Sequence, residues 1–202
     1  IQNSPVVNIH SPKQIKKKPS ILNEHEINNL MTIPDKNTFK GSRDLAMLEL
    51  LYSSGIKVSE LVNIKINDIN LNAGIINIKG VNDRLIPLNE YAKDAIENYM
   101  NNFRNERSLE DNEYLFINIS GEPISRQGIW KVFKSYEKKM NINKELSPQI
   151  LRNSFAVHLL KHGADLGTVQ ELMGLTSVTA AQNYISDFEF KPLEVFKKTF
   201  PR

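Results

Sequence analysis

The chain has 202 residues, of which 40% are hydrophobic, and its formal net charge is only +3. This length allows one domain with a sizeable core and a short appended segment, and the small charge does not by itself indicate a nucleic-acid-binding protein. Cysteine is absent, which excludes disulfides and thiolate metal sites.

The four histidines are scattered along the chain and lack the spacing of metal ligands, so we expect neither a metal site nor a cofactor. No apolar run is long enough to span a bilayer, and no charged-then-apolar leader opens the chain. These features predict a soluble, cytoplasmic protein that does not contact membranes.

Residues 1–20 contain prolines and the cluster Lys16–Lys18, with little periodic apolar content. This composition predicts a linker or basic arm, either a solvated tail or a segment that contacts DNA phosphates. The globular body is expected over residues 21–202. Near its start, Asn23 followed by Glu26 forms a capping-box pattern that predicts a helix.

A second helix is predicted from Arg43 to Tyr52, where apolar residues recur at helical spacing, and Gly55 supplies a left-handed stop. Val58–Val62 predicts a further short helical turn. Both segments precede the part of the chain that is rich in β-branched residues.

Two stretches of β-branched or apolar residues, 74–79 and 84–88, flank a four-residue connection. They predict an antiparallel hairpin with Lys79 at its tip. A third short strand is predicted over residues 114–118. Strands this few and short indicate a single small sheet in a mainly helical chain.

Two longer helices are predicted in the middle of the chain, one capped by Asn89 and one that begins at Ser125. The second helix carries a stripe of basic residues on its surface: Lys131, Lys134, Lys138 and Lys139. Such a stripe is typical of a solvated face, and DNA contact is the alternative.

Three more helices are predicted near the C-terminus, the last of them carrying Tyr184. Their expected boundaries are Ser147-Pro148 to Gly163, Asp165 to Gly174, and a start at Thr176 or Ser177. The tail from Pro192 is too apolar for a disordered end, and we expect it to pack on this body or on a neighbour. The predicted fold class is mainly α with a small antiparallel β-sheet (α+β).

Residue chemistry by itself leaves the function open. Gln149 and Arg152 lie three positions apart near a helix start, so they share a face that favours an anion. Tyr184 is either a nucleophile or a packed aromatic residue, and packing is the commoner role. Lys79 is equally compatible with a solvated hairpin tip, and Arg152 with a surface ion pair.

Four stretches, which occur in the family's order, resemble the tyrosine recombinase (phage integrase) family of the Xer type. Gly55–Leu61 is similar to the family's first arginine box, and Lys79-Gly80 with Arg84–Leu88 is similar to its lysine hairpin. Leu146–Leu160 resembles the stretch around its His-x-x-Arg box, and Gly163–Leu166 and Val169-Gln170 continue the match. The resemblance implies a tyrosine recombinase catalytic-domain fold over residues 21–202.

It also implies site-specific DNA recombination, in which a tyrosine attacks a DNA phosphate and forms a 3′-phosphotyrosyl link. By position, Tyr184 matches the nucleophile and Arg152 the second arginine. Lys79 matches the hairpin lysine that protonates the leaving oxygen. Glu60 matches an acidic residue that supports the site without touching the phosphate.

Three positions depart from the family pattern. Lys57 occupies the place of the first arginine, and an ammonium cannot reproduce a planar two-pronged grip on phosphate. Gln149 replaces the first histidine, which removes proton exchange near neutral pH. Leu175 stands where the second histidine or tryptophan belongs. These replacements predict impaired or absent strand cleavage.

Two functions therefore remain open: a slow recombinase, and a catalytically inactive DNA-binding pseudo-recombinase with an architectural or regulatory role. Both imply double-stranded DNA as a partner, together with self-association or a paralogous recombinase on the DNA. Family members also carry an N-terminal core-binding domain, which residues 1–20 could not supply, so that domain is expected to be absent from this chain. The apolar segment with Phe196 and Phe200 resembles the tail by which family members dock on a neighbouring protomer.

Overall fold

The structure, a computed structural model, describes residues 19–80, 82–110, 112–140, 142 and 144–184. In these ranges the α-helices are α1 (Glu24–Thr32), α2 (Phe39–Ser54), α3 (Val58–Leu61), α4 (Glu90–Tyr99), α5 (Asn105–Arg107), α6 (Arg126–Met140), α7 (Pro148–Lys161), α8 (Leu166–Met173) and α9 (Val178–Gln182). The strands are β1 (Ile69–Asn70), β2 (Ile75–Ile78) and β3 (Arg84–Pro87). Most of the predicted arm and the whole apolar tail from Pro192 lie outside the described residues. None of the described helices is long and apolar enough to cross a membrane.

The first two helices begin at side-chain caps. The Asn23 side chain accepts a hydrogen bond from Glu26 N, and the Glu26 carboxylate accepts one from Asn23 N, which confirms the predicted capping box. Helix α2 begins earlier than predicted because the Thr38 hydroxyl caps it, and this adds the buried Phe39 to its first turn. Gly55 ends α2 with a left-handed φ of 59°.

The sheet is small and antiparallel, with the order β1-β2-β3. The predicted hairpin is confirmed as β2 and β3. The predicted strand over residues 114–118 is wrong: this segment forms only isolated bridges, one of them between Lys65 and Tyr114, and the third strand is β1. The segment is apolar because Leu115, Phe116 and Ile117 are all buried in the core, so its pattern reflects burial on every side rather than pairing in the sheet.

The later helices begin largely as predicted. Their N-caps are Asn89, Ser147, Asp165 and, of the two candidates for α9, Ser177. Tyr184 follows the end of α9 at Gln182, so this helix leads to the tyrosine and does not carry it.

Helix α7 lies at the centre of the fold and is buried on almost every side. Its first half packs in the main core with α1, α2, α4, α6 and the sheet, while Phe155 and the residues after it form a second cluster with α8, α9 and Tyr184. A Cβ on Gly55 would lie 2.3 Å from the Phe155 ring, so α7 approaches the end of α2 where a side chain is absent. Arg152, which lies on α7, is therefore held in the interior of the fold.

Candidate active site

Arg152 is a buried cation bound to backbone carbonyls. Its side chain, on α7, donates from Nη1 to Gly55 O and from Nη2 to Met173 O, the latter at 2.9 Å. The residue is 5% exposed, so it is not the surface ion pair that the sequence left open. Burial lowers the pKa of Arg152, while the nearby Tyr184 and Glu60 oppose that shift. The carbonyls fix the plane of the guanidinium before any ligand binds.

Tyr184 combines the two roles that the sequence left as alternatives. Its ring is 9% exposed and belongs to the second apolar cluster, with Val169 and Met173. Its side chain also lies close enough to Arg152 to affect the pKa of the guanidinium. The structure thus brings the predicted nucleophile to the predicted phosphate ligand.

An open cavity of about 410 Å³ lies beside Arg152. Lys57 and Gln149 line it and are exposed, and α6 contributes Arg126 and Trp130 to its lining. The Gln149 amide donates to Asn153 Oδ1 at 2.8 Å within α7. Three of the predicted site residues, Lys57, Gln149 and Arg152, therefore meet at one cavity with a basic, partly aromatic rim.

Glu60 stands behind this cavity and is ion-paired. Its carboxylate accepts from the backbone N of Lys57 at 2.7 Å and from both Nη atoms of Arg84, at 2.9 and 3.0 Å. Burial by itself raises the pKa of Glu60, but the Arg84 hydrogen bonds and the Lys57 N–H outweigh it and bring the pKa below its ordinary value. Glu60 is therefore a charged group that ties α3 to β3.

Arg84 is a site residue that the sequence reasoning missed. Its side chain is only 7% exposed, and its Nε donates to Leu172 O at 2.8 Å. A signal was present in the alternation of β3, because Arg84 shares the inward face with the buried Ile86 while Leu85 between them points to solvent. A charged residue at an inward strand position requires a buried partner.

Lys79 lies outside the cavity. Its Nζ contacts Asp68 Oδ1 at 2.5 Å, and its side chain is 62% exposed while that of Asp68 is 4% exposed. The other carboxylate oxygen of Asp68 accepts from Lys65 N at 2.9 Å. The hairpin lysine is therefore held by a carboxylate that is itself fixed by the backbone of Lys65.

Leu175 also lies away from the cavity lined by Lys57. It is half-buried, packs against the second apolar cluster and lines a separate groove of about 860 Å³ with Arg84 and Gly174. Over the described ranges, no group of three or more histidine, aspartate and glutamate side chains is arranged to hold a metal ion.

Comparison with known proteins gives consistent matches. The model of the phage integrase family matches residues 20–189. Tyrosine recombinase XerD of Staphylococcus haemolyticus (strain JCSC1435) is 40% identical over 201 residues, which cover 98% of this chain and 68% of that protein. A crystal structure of XerA recombinase matches with a TM-score of 0.78 at 28% identity, over 97% of this chain and 69% of the other. A further match is the crystal structure of the XerH site-specific recombinase bound to palindromic difH substrate, in a post-cleavage complex. Its TM-score is 0.77 at 23% identity, over 100% of this chain and 60% of the other. At this identity the match shows the fold alone.

Proposed function

This chain belongs to the phage integrase family, and on that premise we propose that it binds duplex DNA and carries out site-specific recombination. In the proposed reaction, Tyr184 Oη attacks a backbone phosphorus while the bond to the 5′-oxygen breaks. The products are a 3′-phosphotyrosyl link and a free 5′-hydroxyl. Attack by a 5′-hydroxyl from another strand then reverses the step and releases the tyrosine.

The proximity of the Tyr184 and Arg152 side chains supports this proposal most directly. A nucleophile and the ligand of the non-bridging oxygens must be neighbours, because both act on the same phosphorus. The buried guanidinium is also suited to stabilise charge on the phosphate oxygens, since it is preorganised and largely removed from water.

In this proposal Lys79 protonates the leaving 5′-oxygen. Its Nζ is bound to Asp68 in the DNA-free protein, so it has to exchange this carboxylate for the phosphate. This exchange is physically reasonable because the side chain of Lys79 is largely exposed. The residue also lies just after the end of β2, outside the strand pairing.

We propose further that strand cleavage is slow. Lys57 lines the cavity with a single ammonium, Gln149 offers an amide already bonded to Asn153, and Leu175 packs in an apolar cluster. Loss of one preorganised donor to a developing oxyanion costs on the order of 3 to 4 kcal/mol, and coupled losses do not simply add.

A covalent-trapping experiment tests the proposal. A duplex that binds this chain is first selected from a randomised pool. Versions of it that are nicked next to each candidate phosphate are then incubated with the protein and run on a denaturing gel. We expect slow formation of a protein–DNA adduct that Tyr184→Phe abolishes without weakening the gel shift. Failure to bind any duplex would contradict the proposed function as a whole.

A catalytically inactive DNA-binding protein with an architectural or regulatory role is the second candidate. The placement of Leu175 favours it, because this side chain contributes packing where the family supplies a ring nitrogen. Binding without any adduct would support this role. Restoring Lys57→Arg, Gln149→His and Leu175→His together should then recover cleavage, with Tyr184→Phe in the same background as the control.

Strand exchange joins two duplexes and therefore requires more than one recombinase protomer. We propose that the additional protomer is a second copy of this chain or a paralogous recombinase, acting on DNA in the cytoplasm. Sedimentation of the chain with and without the selected duplex tests this, and a complex that stays at one protomer on every duplex length would contradict it.

A further inference from the structure

Two arginines and one carboxylate meet behind the cavity. Arg84 binds both carboxylate oxygens of Glu60, at 2.9 and 3.0 Å. Arg152 lies close enough for its charge to act on Glu60, and the charges of Glu60 and Arg84 act in turn on Arg152. One carboxylate is therefore within electrostatic reach of two guanidinium groups and is bound by Arg84.

Glu60 is poorly solvated, since its side chain is 15% exposed. A carboxylate largely removed from water requires a cation or several hydrogen-bond donors. If Arg84 were absent, the guanidinium of Arg152 would be a nearby replacement. Pairing with Glu60 would then occupy the N–H groups of Arg152 that could otherwise clamp phosphate oxygens.

Arg84 and Arg152 are both fixed by the C-terminal end of α8. Arg84 Nε donates to Leu172 O at 2.8 Å, and Arg152 Nη2 donates to Met173 O at 2.9 Å. Carbonyls in the last turn of a helix lack partners within the helix, and the negative end of its dipole favours cations. The end of α8 therefore holds the two guanidiniums next to each other.

The turn after α8 is shaped around Arg84. A Cβ on Gly174 would lie 2.7 Å from Arg84 Nη1, so the guanidinium passes where this residue has no side chain. Arg84 Nη1 also contacts Asn82 O at 3.3 Å. These contacts set the position of Arg84 independently of Glu60.

We propose that Arg84 is a positioning residue of the recombination site: by binding Glu60, it leaves the guanidinium of Arg152 free to clamp the scissile phosphate. This inference rests on the proposed function and extends it to a residue outside the family's catalytic set. Arg84 acts through Glu60 and does not itself line the cavity beside Arg152.

The first test requires no DNA. The pKa of the Glu60 carboxyl is measured by carbon-13 NMR in the unmodified chain, in Arg84→Ala and in Arg84→Ala with Arg152→Ala. We expect the pKa to stay low in the single variant, because Arg152 takes over as the partner, and to rise in the double variant, where burial is uncompensated. A pKa that rises as far in Arg84→Ala as in the double variant would overturn the proposal.

The second test measures single-turnover adduct formation on saturating nicked duplex. Arg84→Ala should lower the rate constant by roughly a hundredfold, the loss typical of one misdirected oxyanion ligand, with a much smaller change in the DNA dissociation constant. Adding Glu60→Gln should recover part of this rate, since the competing charge is gone. A double variant no faster than Arg84→Ala would indicate a purely structural anchor and contradict the proposal.

Two further variants keep these tests decisive. Arg84→Lys retains a cation near Glu60 and replaces Arg84→Ala if that variant does not fold, with an intermediate rate expected because the bidentate grip is lost. Leu85→Ala, at an exposed neighbouring position of β3, should leave both readouts unchanged. If the unmodified chain forms no adduct, the proposed cleavage fails, while the NMR titration still decides the role of Arg84.

Discussion

The β2–β3 hairpin holds its two important cations in opposite ways. Arg84 begins β3 opposite Ile78, and its side chain is 7% exposed and bound to Glu60 and Leu172. Lys79 follows the end of β2, and its side chain is 62% exposed and bound to Asp68. The turn end of the hairpin therefore carries one fixed cation, Arg84, and one cation that can be released, Lys79.

This difference separates stability from chemistry within one hairpin. Arg84 and Glu60 are both largely buried, so water cannot readily replace either partner, whereas the exposed ammonium of Lys79 can move into solvent. We expect the Arg84–Glu60 pair to determine folding stability and Lys79 to determine cleavage.

The largest expected effect is at Arg84. Arg84→Ala should lower the free energy of unfolding by about 3 kcal/mol, because the bidentate pair with Glu60 and the bond to Leu172 O are lost, and Arg152 replaces them only by leaving its own carbonyl partners. Urea unfolding checks this, with Leu85→Ala as the exposed control on the same strand. A loss below about 1 kcal/mol would place Arg84 with ordinary surface ion pairs and break the comparison.

A smaller effect is expected from the glycines beside the two cations. Gly174→Ala should destabilise the protein by about 1 to 3 kcal/mol, since its φ is +61° and the new Cβ would meet Arg84. The matched control is Gly80→Ala, next to Lys79, where a Cβ meets nothing within 4 Å, and it should change stability by less than about 0.5 kcal/mol. Equal losses at both positions would contradict the distinction between the fixed and the releasable cation.

The pH dependence of stability gives a third contrast. The pKa of Glu60 is lowered below its ordinary 4.5, so its contribution is fully present above that pH and is lost as pH falls through the lower folded-state value. Unfolding free energies of the unmodified chain and of Glu60→Gln should therefore converge below about pH 4.5. A constant difference between them down to pH 3 would show that the charge of Glu60 contributes nothing to the stability of its pair with Arg84.

The smallest effects on stability are expected at the exposed lysines. Lys65→Ala, which removes a surface ion pair, should change the unfolding free energy by less than about 1 kcal/mol. Lys79→Ala should cost about 1 kcal/mol, because the buried Asp68 carboxylate loses its cation but keeps the hydrogen bond from Lys65 N. Cleavage should instead fall sharply for Lys79→Ala on ordinary DNA, and recover on DNA with a 5′-bridging sulfur, since a thiolate leaves without protonation. Absence of this recovery would argue against Lys79 as the general acid.

The sequence predicted the local features of this fold well. The capping box of Asn23 and Glu26, the stop at Gly55 and the N-cap Ser147 each depend on residues within one helical turn, so their pattern is complete in the sequence. The apolar segment over residues 114–118 was misassigned because periodicity cannot distinguish a strand from a loop buried on all sides.

In the candidate site, too, the sequence predicted some features and not others. The order of the resembling segments predicted that Tyr184 and Arg152 belong to one site. The helical spacing of Gln149 and Arg152 predicted that these two residues share one face of α7, and both line the same cavity. The sequence did not predict that Lys79 would be bound to Asp68, because that contact depends on how the exposed end of the hairpin lies against the turn before β1.

The sequence by itself therefore determined the helices, the hairpin and the identities of most candidate site residues. The tertiary structure decided which charges are paired: Arg84 meets Glu60 across 24 positions and Leu172 across 88. Such contacts form only when packing brings distant segments together, and burial then selects the partner, since a charge removed from water must be compensated by whichever group lies beside it.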